Sequence, residues 1–119
     1  MSRGGTNKPV VYAVTARCPD EPTAAQFEEW LASGHALEVV SAGALDAEVL
    51  RLLGETPCVQ ARYRFASLED FRRYETGPAI ALRAEGVQRF GSRGIVFERS
   101  LWTAWVSGPA STAKDFRTP

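Results

Sequence analysis

Residues 58–65 read Cys-Val-Gln-Ala-Arg-Tyr-Arg-Phe (CVQARYRF), and this stretch decides the fold of the 119-residue chain. Small or apolar side chains alternate with polar ones along it. Such alternation is typical of a β-strand with one buried face. We therefore expect a central strand whose odd-numbered side chains pack against helices, while Gln60, Arg62 and Arg64 point to the other side of the sheet.

Two further segments, one near each end of the chain, are predicted to be strands. Residues 10–17 are rich in β-branched and aromatic side chains and are followed closely by Pro19. Residues 95–106 are expected to form a long last strand, with large apolar side chains at both odd and even positions. Because both faces of this strand are apolar, we expect both to be buried, one against the helices and the other against a partner.

The segment 44–53 is ambiguous when it is considered alone. As a helix it would place Leu45, Val49 and Leu52 on one face, and its residue types favour that state. As a strand it would place Leu45, Ala47, Val49 and Leu53 on one side, with Arg51 as the exception. If this segment were a helix, the sheet would have only three strands, which is few for two helices to pack against. We therefore favour the strand.

The first helical region is predicted between the first two strands. Thr23 and Gln26 form a capping-box pattern that is expected to begin the helix. Gly34 interrupts the pattern, and the helix can resume after His35 before Gly43 ends it. The apolar stripe of this region includes Trp30.

The second helical region follows the central strand. Ser67 is the expected N-cap, and Gly77-Pro78 breaks the run and starts a further helix that stops at Gly91. The element order is therefore β-α-β-β-α-β, which is typical of an α+β, ferredoxin-like sandwich with an antiparallel sheet. We expect one domain over residues 10–106, a loose N-terminal arm over residues 1–9 and a tail over residues 107–119.

Composition excludes several classes of function. The chain has 14 basic and 14 acidic residues, so its net charge of zero gives no bulk attraction to nucleic acid or to an anionic membrane. There is no apolar leader or long apolar segment, so we expect a cytoplasmic protein. The chain also has no Gly-rich phosphate loop and no Cys/His metal-binding spacing, and Cys18 and Cys58 make no disulfide framework. The sequence thus predicts neither a cofactor nor a metal site.

The motifs and their spacing resemble a family of uncharacterised bacterial proteins, DUF4286, from residue 10 to about residue 104. The resemblance implies a dimeric α/β barrel, in which two four-stranded sheets pack face to face. It implies no particular reaction. The matching pieces are Tyr12-Ala13-Val14-Thr15, Trp30, His35 to Val39 with Gly43, Val59-Gln60, Ser67-Leu68-Glu69-Asp70 with Tyr74, Leu82-Arg83-Ala84-Glu85 with Phe90, and Val96-Phe97-Glu98-Arg99.

His35 is the only histidine and the candidate catalytic residue. Imidazole titrates near neutral pH, so His35 could act as a proton shuttle or an axial ligand, in the way that some small dimeric α/β barrels use a histidine. The alternative, which we favour, is that His35 caps the C-terminal end of the first helix.

Five further residues are candidate ligand-binding groups. Gln60, Arg62 and Arg64 could hold a carboxylate or phosphate by forked hydrogen bonds. Pairing with Glu48 or Glu98 on neighbouring strands, or simple exposure to solvent, is the more ordinary explanation for them. Tyr12 and Tyr63 could orient a ligand, although tyrosines among apolar neighbours are more often part of the core.

Two functions fit these observations. The first, which we favour, is an uncharacterised dimer that binds a small molecule or a partner without catalysis. The second is a cofactor-independent oxygenase, isomerase or cyclase acting on an aromatic or polyketide-like compound, with His35 as acid and base. Either function is expected in a homodimer joined through its sheets, with Trp102 and Trp105 of the last strand as anchors.

Overall fold

The computed structural model describes residues 8–105 of the chain. The four strands are β1 (Val10–Arg17), β2 (Asp46–Arg51), β3 (Cys58–Phe65) and β4 (Val96–Thr103). The helices are α1 (Glu21–Trp30), α2 (Ala36–Ser41), α3 (Leu68–Thr76) and α4 (Pro78–Phe90), and a π-helical turn, Leu31–His35, joins α1 to α2. The predicted arm and tail lie almost wholly outside the described residues.

The four strands form one antiparallel sheet in the order β2-β3-β1-β4. This order, together with the helices, is the predicted α+β, ferredoxin-like fold. The ambiguous segment is a strand, as predicted, and its Ala47 pairs with Tyr63. On β1, Tyr12 pairs with Tyr63 on one side and with Leu101 on the other, so β1 and β3 are the two central strands.

The last strand is shorter than predicted. It begins at Val96, which pairs with Arg17, and ends at Thr103, which pairs with Val10. Those two partners are the ends of β1, so the length of β1 limits the pairing that β4 can form. The predicted end at Val106 lies outside the described residues.

The helices cover one face of the sheet and form the core with the odd-numbered residues of β3. Val59, Ala61, Tyr63 and Phe65 are each 3% exposed or less, which confirms that this is the buried face of the strand. Phe65 packs edge-on against Phe71, with the ring centroids 5.4 Å apart. Large aromatic side chains contribute much of the burial energy of a small core, so this layer holds helices and sheet together.

The start of the first helix differs from the prediction. The helix begins at Glu21, and the N-cap is Asp20, whose carboxylate accepts a hydrogen bond of 2.9 Å from the backbone N–H of Thr23. Hydrogen bonding to Thr23, through its side chain first and its backbone N–H second, lowers the pKa of Asp20. Pro22 in the first turn suits this earlier start, and Thr23 is buried within the helix instead of capping it.

The predicted break at Gly34 is also wrong, because the chain remains helical through it. The π-helical turn carries the backbone from α1 into α2, and the helical run ends at Ser41. Gly43 follows with φ of +139°, a conformation that favours glycine, and lets the chain turn into β2.

The second helical region agrees with the prediction. The hydroxyl of Ser67 accepts a hydrogen bond from the backbone N–H of Asp70, and Pro78 lies in the first turn of α4. Gly91 caps the end of α4. Within residues 8–105, no helix is both long enough and apolar enough to cross a lipid bilayer.

We expect the replacement Phe65→Ala to lower the free energy of unfolding by about 3–5 kcal/mol, because Phe65 is fully buried and its loss leaves a cavity. Leu53→Ala is the control, since Leu53 is 92% exposed, and its effect should stay within about 0.5 kcal/mol. Urea unfolding followed by circular dichroism measures both values. Equal stability of the two variants would contradict the assignment of the core.

Candidate functional site

A cavity of about 100 Å³ lies between the sheet and the helices. Strands β1 and β3 provide its floor through Tyr12, Ala61 and Tyr63, and α1 and α4 provide its walls. The small side chain of Ala61 leaves space at the floor, where a larger residue would fill it. The other lining residues are Val14, Phe27, Trp30, Leu31, His35, Val39, Tyr74, Leu82, Arg83, Gly86, Val87, Phe97 and Arg99.

The π-helical turn places His35 in this wall. In an α-helix, residues five apart are rotated by about 140° from one another. Here the backbone N–H of Ala36 bonds to the carbonyl of Leu31, the wider spacing of a π-helix, and the turn brings position 35 back over position 30. The rings of Trp30 and His35 stack with centroids 4.1 Å apart and an angle of 21° between their planes.

This position contradicts the predicted capping role of His35. The helical run continues for six residues beyond it, so the imidazole does not meet the free carbonyls of a helix end. Its side chain is only 12% exposed and is held between Trp30 and the face of α4 that carries Glu85. Single-sequence analysis missed the π-helical turn because Gly34 also reads as a helix breaker.

Two carboxylates approach the imidazole of His35. Its Nδ1 atom is 3.7 Å from Oε1 of Glu85 and 3.9 Å from Oε1 of Glu38. Both distances exceed hydrogen-bond length, and Nδ1 is buried without a hydrogen-bond partner. Burial lowers the pKa of His35, and the nearby charge of Glu85 opposes that effect only in part. The imidazole is therefore predominantly neutral at pH 7.

Two tyrosines of the cavity, Tyr63 and Tyr74, remain protonated at neutral pH. Burial raises the pKa of Tyr63, and it raises the pKa of Tyr74 to about 12. The positive charges of Arg83 and Arg99 partly oppose the shift at Tyr74. The cavity thus combines aromatic walls with neutral phenol groups that can donate hydrogen bonds and two guanidinium groups.

The other candidate residues lie on the opposite face of the sheet. Gln60, Arg62 and Arg64 line an open groove of about 720 Å³, together with Val11, Ala13, Asp46, Ala47, Glu48 and Trp102. The amide of Gln60 donates to the hydroxyl of Thr15 at 2.8 Å and accepts from Nε of Arg62 at 2.7 Å. The sheet therefore divides the predicted site residues into two surfaces.

The ion pairs on this open face differ from the pairing considered in the sequence. Arg64 on β3 lies directly opposite Asp46 on β2. Its Nε and Nη2 atoms donate hydrogen bonds to the two carboxylate oxygens of Asp46. Glu98 binds Arg17 at 3.0 Å. Glu48 lies opposite Arg62 in the register but forms no ion pair with it. Arg64 thus pairs with Asp46, two residues before the expected Glu48, and Glu98 pairs with an arginine of β1 instead of one of β3.

Sequence analysis did not identify Glu38 and Glu85 as neighbours of His35. The spacing of His35 and Glu38, three residues apart on a helix, was a signal that could have linked that pair. No comparable signal connects His35 to Glu85, because their proximity depends on the packing of α4 beside the π-helical turn.

A family model described as a domain of unknown function, DUF4286, matches residues 9–104. The chain therefore belongs to the DUF4286 family, as the motifs predicted. No curated protein matches its sequence.

Solved structures with the same fold include proteins with known and unknown activity. A dimeric ferredoxin-like protein from an uncultured marine organism is 18% identical, with 85% of this chain and 99% of that chain covered and a TM-score of 0.57. The cofactor-independent oxygenase SnoaB from Streptomyces nogalater is 16% identical, with 86% and 98% covered and a TM-score of 0.63. A monooxygenase, ActVA-Orf6, from Streptomyces coelicolor in complex with nanaomycin D is 16% identical, with 86% and 92% covered and a TM-score of 0.67.

Proposed function

We propose that this DUF4286 protein is a homodimer that binds a small aromatic molecule in the cavity between its sheet and its helices, without transforming it. The observation that carries the proposal is the cavity itself, in which aromatic walls converge with a few polar groups. Such a combination is typical of small-molecule sites, because apolar surface provides affinity and isolated polar groups provide orientation.

The cavity volume limits the ligand. An apolar cavity of roughly 150 Å³ can accept benzene in an engineered protein. The cavity here is about 100 Å³, so it holds at most one ring or part of one. A larger, polyketide-like ligand would have to extend through the opening of the cavity into solvent.

The arginines at the cavity favour a ligand with an acidic or electron-rich oxygen. Arg83 is half-buried on α4 and Arg99 lies on β4, and both line the cavity. Among residues 8–105, neither forms an ion pair with a carboxylate. A guanidinium without a protein partner can bind a carboxylate or phenolate by charge-assisted hydrogen bonds.

The uncovered face of the sheet supports the homodimer. The helices cover only the other face, while Trp102 on this face is 60% exposed and lies in the open groove. Val96 of the edge strand β4 lies on the same face and is 61% exposed. Apolar surface of this kind is typical of an interface, and a second copy related by a two-fold axis would bury it. The marine ferredoxin-like protein of the same fold is dimeric.

The second candidate function is a cofactor-independent oxygenase, isomerase or cyclase acting on an aromatic or polyketide-like compound. The observation that favours it is the presence of His35 on the cavity wall with an Nδ1 atom that has no hydrogen-bond partner. In this function His35 accepts a proton from carbon or oxygen of the substrate and later returns it. SnoaB, which has the same fold, is a cofactor-independent oxygenase.

Benzoate tests the binding site because it is one aromatic ring with a carboxylate. We expect its saturation-transfer NMR signal in the parent protein to be lost in Ala61→Leu, which fills the floor of the cavity, and weakened in Arg83→Gln. The control Ala25→Leu, on the exposed side of α1, should keep the signal. Benzamide, which lacks the charge, should bind more weakly than benzoate.

The cavity would be excluded as the binding site if Ala61→Leu folds and still binds benzoate as the parent does. Overpacking at this buried position costs about 1–3 kcal/mol, so circular dichroism must first show that the variant is folded. Gly86→Ala is the second variant, because its new Cβ would lie 3.3 Å from the Trp30 ring and narrow the cavity from α4.

For the dimer, we expect light scattering at micromolar concentration to give about twice the chain mass of 13.0 kDa. Trp102→Glu should shift the protein towards the monomer, because it places a charge in the proposed interface. Leu37→Glu is the matched control on α2, where Leu37 is 66% exposed, and it should leave the mass unchanged. A monomeric parent chain would refute the dimer.

The catalytic alternative is tested with 2-tetralone, an aromatic ketone with acidic C–H groups, in D₂O. If His35 acts as a base, the parent protein should accelerate incorporation of deuterium at carbon, as measured by NMR, and His35→Gln should abolish the acceleration. Acceleration that is equal in both proteins would remove His35 from the reaction. Binding without acceleration would favour the first function.

A further inference from the structure

We infer that His35, Glu38 and Glu85 form a binding site for a divalent first-row transition-metal ion beside the cavity. Each residue offers one ligand atom, and these three atoms all lie within 4.8 Å of one another. This inference goes beyond the proposed ligand binding and does not depend on it. It also departs from the sequence analysis, which predicted no metal site.

The spacing of the three atoms is close to that of a metal-bound set. Tetrahedral bonds of about 2.0–2.2 Å from zinc to nitrogen or oxygen place neighbouring ligand atoms about 3.3–3.6 Å apart. The distances from Nδ1 of His35 are 3.7 Å to Glu85 and 3.9 Å to Glu38. The two glutamate side chains are about half exposed, so rotations within their flexible ends can close the remaining gap.

The buried Nδ1 atom provides the second, independent reason. A buried polar nitrogen without a hydrogen-bond partner is destabilising and uncommon in proteins. Nδ1 of His35 is such an atom, while the surrounding side chain is fixed by stacking on Trp30. A metal ion would give this nitrogen the partner that it lacks, and stacking would hold the ring in the binding orientation.

The charges around the site also favour a cation. Glu38 lies three residues after His35 on the same helical run, and Glu85 approaches from α4. Among residues 8–105, neither carboxylate forms an ion pair with lysine or arginine. Two carboxylates therefore converge on one imidazole nitrogen, and a divalent ion bound there would neutralise their charge.

The ligand types select the class of metal. One imidazole nitrogen with two carboxylate oxygens suits Zn²⁺, Mn²⁺, Fe²⁺ or Co²⁺, whereas Ca²⁺ and Mg²⁺ prefer oxygen ligands alone. Three protein ligands leave at least one coordination position for water or an exogenous ligand. Because Nδ1 would be occupied, metal binding excludes that nitrogen from the proton transfer considered for His35.

The experiment is isothermal titration of the tag-free, metal-stripped full chain with ZnCl₂, under reducing conditions, with MgCl₂ titrated in parallel. We expect one Zn²⁺ per chain and much weaker binding of Mg²⁺. His35→Phe removes the ligand nitrogen but keeps a ring beside Trp30, and Glu85→Gln removes one charge. Each should weaken Zn²⁺ binding on the order of 100-fold.

Two control variants separate this site from other zinc ligands. Glu69→Gln changes an exposed glutamate on α3 whose side chain is 82% exposed, and Cys58→Ser removes the more accessible thiol. Both should bind Zn²⁺ as tightly as the parent. In addition, Co²⁺ should give a visible absorption band that is lost in His35→Phe.

Zn²⁺ binding that survives unchanged in both His35→Phe and Glu85→Gln would overturn the inference, as would the absence of binding to the parent chain. Circular dichroism and thermal unfolding must show that the two variants fold. Benzoate binding measured with excess EDTA tests the cavity independently, so failure of the metal site and failure of the proposed ligand site can be told apart.

Discussion

The burial of one face of β3 beneath the helices is the constraint on which the rest of the structure depends. Phe65 and Val59 are fully buried there, and they anchor the sheet to the helical layer. Between them, Ala61 is too small to fill its share of the space, and the cavity opens at this point. The same packing that stabilises the fold therefore creates the candidate site and directs the alternate side chains, Gln60 and Arg62, to the opposite face.

The π-helical turn is the local feature that places an imidazole, that of His35, in the wall of the cavity. It stacks His35 on Trp30 and aligns the imidazole with Glu85 on α4. Widened turns of this kind are less favourable than regular α-helix and often occur at functional sites. The stacking and the surrounding aromatic core hold the turn in place, so the side chain of His35 is fixed while its Nδ1 atom is left without a hydrogen-bond partner.

The sheet also separates two kinds of surface. The covered face contains a small aromatic cavity, whereas the open face carries a polar network around Gln60 and the exposed indole of Trp102. A ring-sized ligand is our proposal for the first surface, and a second copy of the chain is our proposal for the second. The proposed ligand binding and the proposed dimerisation can therefore be tested by mutations at different residues.

The sequence by itself determined the features that depend on neighbouring residues: the alternation along β3, the cap at Ser67 and the break at Gly77-Pro78. It also identified His35 as a candidate, and it correctly placed Tyr63 and Arg62 on opposite faces of the sheet. Only the tertiary structure decided that His35 continues a helix and meets Glu85, fifty residues later in the chain. The physical reason is that periodicity and capping act over a few residues, whereas ring stacking and helix-to-helix contacts depend on how the whole core packs.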